Sequence, residues 1–141
     1  MTFYINNDNE ICVFSVGFKF QGRLRDEYGR TLKARADSQL GAFSWVVNNT
    51  AHIRIAYQLE NNRVHQINWD GNANFRWANS NTSPATLHGT SMSFINQSPT
   101  GEDQFFRGYY QHTNYSILEL INLPDRGYIG MSIYIPRKAM P

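Results

Sequence analysis

Cysteine is almost missing from this chain: Cys12 stands alone among 141 residues. No disulfide can form within it, which excludes the class of small domains stapled by such bridges. An excess of one charge is missing too. Thirteen Lys and Arg face eleven Asp and Glu, for a net charge of +2, and a dedicated nucleic-acid binder carries a larger basic surplus gathered into a patch. This balance decides nothing by itself, and nucleic acid is not among the expected partners. No apolar run approaches the length of a membrane-crossing helix. Met1 to Glu10 lacks the basic-then-apolar order of a signal peptide, so the expectation is synthesis in a reducing cytoplasm. Also absent are the nucleophile elbow, the Gly-rich phosphate loop and paired Cys or His at zinc spacing. His52, His65, His88 and His112 share no metal-binding interval. No catalytic residue, metal or cofactor is expected, and the chain reads as a binder and not as an enzyme.

What is present is aromatic side chains, at 14% of the chain, set in alternation with period two, the mark of half-buried strands. Phe14, Val16, Phe18 and Phe20 point one way. Ile53, Ile55, Tyr57 and Leu59 form a second series, and Ile129, Met131, Ile133 and Ile135 a third. Shorter strands fit Phe3–Ile5, Leu32–Ala36, Phe43–Val47, Val64–Trp69, Met92–Ile95, Phe106–Tyr110 and Tyr115–Ile121. Turn residues punctuate them at Tyr28-Gly29, Glu60-Asn61-Asn62, Asp70-Gly71 and Pro124 to Gly127. Asn79–Thr86 and Asn96–Asp103 read as long polar loops. No helical periodicity and no internal repeat are evident. The expected fold is all-β, a single antiparallel β-sandwich domain over residues 1–141.

Two clusters of rings attract attention. Around the turn at Asp70, Trp69, Asn74, Phe75, Arg76 and Trp77 bring aromatics, amides and a cation together. Amphipathic rings at a hairpin tip suit a sugar face or a bilayer interface; the competing reading has both tryptophans capping the sandwich. Phe105, Phe106, Tyr109 and Tyr110 fall within six residues, and alternate side chains leave a strand on opposite faces. Some of these rings must therefore lie outside the core or under another layer. Glu119 shares a strand face with Ile117 and Ile121, which gives either a desolvated carboxyl with raised pKa or a carboxylate paired with an arginine.

The stretches Ile53-Arg54-Ile55-Ala56-Tyr57 and Val64 through Trp69-Asp70, with the ending Asn122 to Ile135, resemble the aegerolysins, small β-sandwich proteins of fungi and bacteria. The Cys-Pro-Trp-Gly stretch that follows Trp-Asp in many fungal members is absent here. The resemblance implies binding of membrane lipid, with Trp69 and Asp70 in the recognition loop. It also implies service as the small component of a cytolytic or insecticidal pair beside a larger pore-forming protein, acting on target-cell membranes after release. Two alternatives stand beside this reading. One is a cytoplasmic lectin, with Asn74, Trp77 and Tyr109 among the contacts to a glycan. The other is a self-assembling protein whose exposed rings bury against a second copy, a homo-oligomer.

Overall fold

A computed structural model describes residues 1–15, 21–71, 77–96, 106–113, 116–123 and 127–133, with only the backbone at 79–82, 96, 106, 122–123 and 127–133. These residues form eleven strands in three antiparallel sheets. The first sheet is β1 (Thr2–Ile5), β2 (Ile11–Phe14) and β3 (Gly22–Arg23). The second is β4 (Leu40–Val47), β5 (Thr50–Gln58), β6 (Arg63–Asp70) and β7 (Ala78–Ala85). The third is β8 (Met92–Asn96), β9 (Phe106–Gln111), β10 (Ile117–Leu123) and β11 (Gly127–Ile133). Within every sheet, neighbours in space are neighbours in sequence, the order that short hairpin turns enforce. At the β4–β5 hairpin, Asn48 and Asn49 both take positive φ (48° and 60°), as a two-residue turn of matching twist demands.

The all-β expectation holds, but the single sandwich does not. A sandwich has one core between two sheets, whereas here the middle sheet is covered on both faces. Ile53, Ile55, Tyr57, Ile67 and Trp69 pack toward the first sheet, against Ile11, Val13 and Trp77. Ala56 and Val64 leave on the opposite face and pack against Tyr110, Leu118 and Phe94. This explains why β5 is buried without interruption from Ile53 to Gln58, where a strand with one wet face would alternate. The first strands of the second and third sheets, β4 and β8, lie against each other, and β1 approaches β4. The sheets are thus stacked side by side like blades.

The expected absence of a repeat is also corrected. One strand pair in each sheet uses the same register: Thr2↔Phe14, Ile55↔Ile67 and Gly108↔Leu120 are partners at 53-residue intervals. Tyr4, Tyr57 and Tyr110 fall at the same spacing, as do Arg54 and Arg107. By this register β1 and β2 match the second and third strands of the other sheets.

Two further expectations change. Asn79–Thr86, read as a loop, is largely strand β7; it is the last strand of its sheet, an edge position that tolerates Pro84. Leu32–Ala36 forms no strand, only single bridges at Thr31 and Lys33. Phe18, Phe20 and the loop from 97 to 103 lie outside the described residues.

Candidate functional site

The sequence places its candidate residues around the Asp70 turn, and the structure divides them. Trp69 and Trp77 are buried between the first two sheets, Trp77 meeting Phe3 edge to face at 5.9 Å. Alternation on β6 puts Trp69 on the face of Ile67, which points into that core. Neither ring reaches out to a membrane, and the expectation of exposure is corrected for both. Tyr110 is likewise buried, between the second and third sheets, and burial pushes its hydroxyl pKa up to about 12. Asn74, Phe75, Arg76 and Phe105 lie outside the described residues. Asp70 is half-exposed, but it is held within the protein: its Oδ1 takes His52 Nδ1 at 2.6 Å and Arg54 Nη1 at 2.8 Å. Burial pushes this carboxyl up, and the His52 and Arg54 contacts outweigh it, leaving the pKa lowered.

The structure gathers a different group around Tyr109. The 53-residue register sets Arg54 and Arg107 at matching places on β5 and β9, with Gln66 and Glu119 matching on β6 and β10. In the second sheet this position is filled from within. Arg54 is buried, its Nη1 donates to the Ile53 and Trp69 carbonyls as well as to Asp70, and its guanidinium lies 4.7 Å over the Trp45 ring. Gln66 donates to Asn68.

In the third sheet the same places carry separate chemistry. Arg107 Nη1 donates to Glu119 Oε1 at 2.8 Å, and Tyr109 donates its hydroxyl to that same oxygen at 2.8 Å. Glu119 is buried beneath a half-exposed Arg107. The Tyr109 hydroxyl and then the Arg107 guanidinium hold the Glu119 carboxyl below the usual carboxylate range. The desolvated, raised-pKa reading of Glu119 is therefore replaced by the arginine-paired one. Both bonds land on Oε1, so Oε2 has no partner among the described residues, and Arg107 Nε is buried with none either. Beside Tyr109, a hollow of about 420 Å³ runs past His88, Ser93, Gln111 and Ile117. A paired donor and acceptor next to an aromatic ring can grip a ligand that offers neighbouring hydroxyls.

Sequence reasoning had Tyr109 and Glu119 in view but missed Arg107 as their partner. The 53-residue recurrence of arginine and tyrosine was the signal that could have found it. Three arginines of the early chain are held in ion pairs, Arg23 with Glu10, Arg30 with Asp26 and Arg35 with Asp37, all within 2.9 Å. Cys12 is buried, its thiol directed at the Glu10 carbonyl. Among the described residues no cluster of His, Cys, Asp and Glu could hold a metal.

Comparison with known proteins gives this arrangement a context. Several solved structures share the fold. The SapL1 lectin in complex with alpha methyl fucoside aligns with a TM-score of 0.70 at 18% identity, over 93% of this chain and 41% of that one. An AofleA variant from Arthrobotrys oligospora, with three arginines changed to alanine, aligns at 0.72 and 22% identity, over 95% and 39%. The Aleuria aurantia lectin, described as a six-bladed β-propeller with a novel mode of fucose recognition, aligns at 0.72 and 23%, over 96% and 43%. The chain thus spans about two-fifths of the length of the structures it matches. No curated protein matches the sequence. The family model for the fungal fucose-specific lectin matches residues 2–141. The match overturns the aegerolysin resemblance, and with it the lipid-binding, toxin and pore-forming expectations. Lectins bind sugars without transforming them, so the reading of the chain as no enzyme stands. Its match runs from the second residue to the last, and the chain belongs to the fungal fucose-specific lectin family.

Proposed function

We propose that this protein binds fucose or a fucose-bearing glycan, and that Arg107, Tyr109 and Glu119 form the polar part of its site. The observation that carries the assignment is the bonded Arg107–Glu119 pair, in which Arg107 Nε and Glu119 Oε2 have no partner among the described residues. A charged donor and a charged acceptor fixed side by side match two adjacent sugar hydroxyls, one accepting and one donating, and charge-assisted bonds of this kind are the stronger ones. Tyr109 adds a ring against which an apolar sugar edge can lie. A further support is the variant with three replaced arginines in a relative: the substituted positions are 53 residues apart, the interval from Arg54 to Arg107 here. Of the two arginines, Arg107 is the one with a free donor among the described residues.

Titration calorimetry with methyl α-fucoside tests the reading. Saturable heat is expected, competed by free fucose. Arg107→Ala should weaken binding by roughly ten- to a hundredfold, the worth of a charge-assisted hydrogen bond of about 1.5–3 kcal/mol. Arg54→Ala is uninformative as a control because it strands Asp70; Arg25→Ala, whose Nη1 serves only the Gly29 carbonyl, should leave affinity unchanged. Absence of heat with any fucoside, or full affinity in a folded Arg107→Ala, would reject the assignment.

A further inference from the structure

The 53-residue register puts one arginine at the same place on β5 and β9, and the two arginines have different neighbours. Arg54 pairs across to Asn68 on β6, and Arg107 to Ile121 on β10. Alternation brings the residues two before and two after each partner onto the arginine's face. In the second sheet these flanking residues are Gln66 and Asp70; in the third they are Glu119 and Leu123. The carboxylate has changed sides. Arg107 bonds Glu119, on the flank that pairs with Tyr109. Arg54 bonds Asp70 on the other flank, and Gln66 donates to Asn68 instead.

This change of side decides which arginine can take a ligand. A leucine has no acceptor to set against a guanidinium, and the Arg107 side chain stays 34% exposed. The Arg54 side chain is 2% exposed, with Asp70 and the Ile53 and Trp69 carbonyls all on its Nη1. His52 pins the carboxylate there: its Nδ1 lies 2.6 Å from the same Asp70 oxygen, and its ring stacks on Trp45 at 5.1 Å. Arginine and ring-borne group thus meet on one carboxylate oxygen in both sheets, but Asp70 does so from the side where the third sheet has no acceptor. A neutral sugar hydroxyl cannot displace it, because a bond charged on both partners is stronger than one charged on a single partner.

We infer that Asp70 shuts the second sheet's copy of the sugar site by serving as a built-in ligand of Arg54, so that fucoside enters at Arg107 and not at Arg54. The inference rests on the sugar reading above and names the residue that sets the number of sites. Asp70 acts by occupying the arginine, without touching sugar. Two replacements accompany it: Ala56 stands where the third sheet has Tyr109, and Gln66 where it has Glu119. Trp45, half-buried beside Arg54, leaves an aromatic face for a ligand once the carboxylate is gone.

Calorimetry with methyl α-fucoside on the 141-residue chain tests this through the stoichiometry. The unaltered protein should take one sugar per chain. Asp70→Ala combined with Gln66→Glu moves the carboxylate to the flank used in the third sheet, so buried Arg54 is not left without a partner. That variant should take two sugars per chain, and in the Arg107→Ala background it should regain saturable binding competed by free fucose. Gln66→Glu alone, with Asp70 in place, should still take one. Circular dichroism checks folding, and Asp70→Ser, which keeps a hydroxyl for His52, replaces Asp70→Ala if that variant does not fold. Two sugars on the unaltered chain overturn the inference, because the Arg54 site would then be open already. A folded opened variant that still takes one also overturns it, and Asp70 then serves only to neutralise a buried arginine. In both cases the Arg107 assignment stands, whereas absence of heat from the unaltered protein rejects the sugar reading itself.

Discussion

The carboxyl of Glu119 carries the pH behaviour of the site. Tyr109 and Arg107 stabilise its ionised form, and its folded pKa lies below the ordinary 4.5. A carboxylate depressed in this way contributes stability that is complete above the unfolded value and disappears as pH falls through the folded one. Tyr109 moves oppositely: its bond to Glu119 raises its pKa from 10.0, so the hydroxyl donates throughout the neutral range and into alkali. Fucoside affinity should therefore stay level from about pH 5 to about pH 9 and fall only in stronger acid. Glu119→Gln should weaken binding at neutral pH and abolish the acid limb. An affinity that declined between pH 7 and pH 5 would point to a histidine and remove Glu119 from this role.

At the scale of elements, the junction between the second and third sheets turns on two glycines. A Cβ at Gly108 would stand 2.5 Å from Phe94 Cε1 and 2.9 Å from Cδ1, and one at Gly41 would strike the other edge of the same ring. Phe94 also stacks on Phe43 of β4 at 5.6 Å, so the ring is wedged between the two sheets. Overfilling such a contact costs about 1–3 kcal/mol. Gly41→Ala and Gly108→Ala should each lower the urea midpoint with the slope unchanged. Phe94→Leu in the Gly108→Ala background should recover part of the loss, a coupling expected only if the two touch. The elements themselves were legible where alternation was strong: Ile53–Tyr57 and Val64–Trp69 announce β5 and β6. β7 was hidden because its residues are polar and include Pro84, which resembles a loop in any local reading. The repeat was hidden differently. Register is a property of backbone pairing, and most 53-spaced positions differ in side chain (Ala56 against Tyr109, Gln66 against Glu119), so the identities that do recur, the three tyrosines and Arg54 with Arg107 among them, are scattered too thinly to stand out. The tryptophans misled because proximity to a turn was weighed above strand face: Trp69 follows Ile67 by two residues and shares its burial.

For the whole molecule, sugar binding and folding are linked. Anything that binds only the folded form raises apparent stability by mass action, and on the reading proposed above fucoside is such a ligand. At roughly a hundred times its Kd it should add about 2.7 kcal/mol to the unaltered protein, seen as a higher urea midpoint with the slope unchanged. The same concentration should add clearly less to Arg107→Ala, whose Kd is higher. Arg25→Ala, which leaves the Arg107–Glu119 pair untouched, should gain as much as the unaltered protein. An equal increment in Arg107→Ala would mean that the sugar is held elsewhere on the fold, and would remove the pair from recognition.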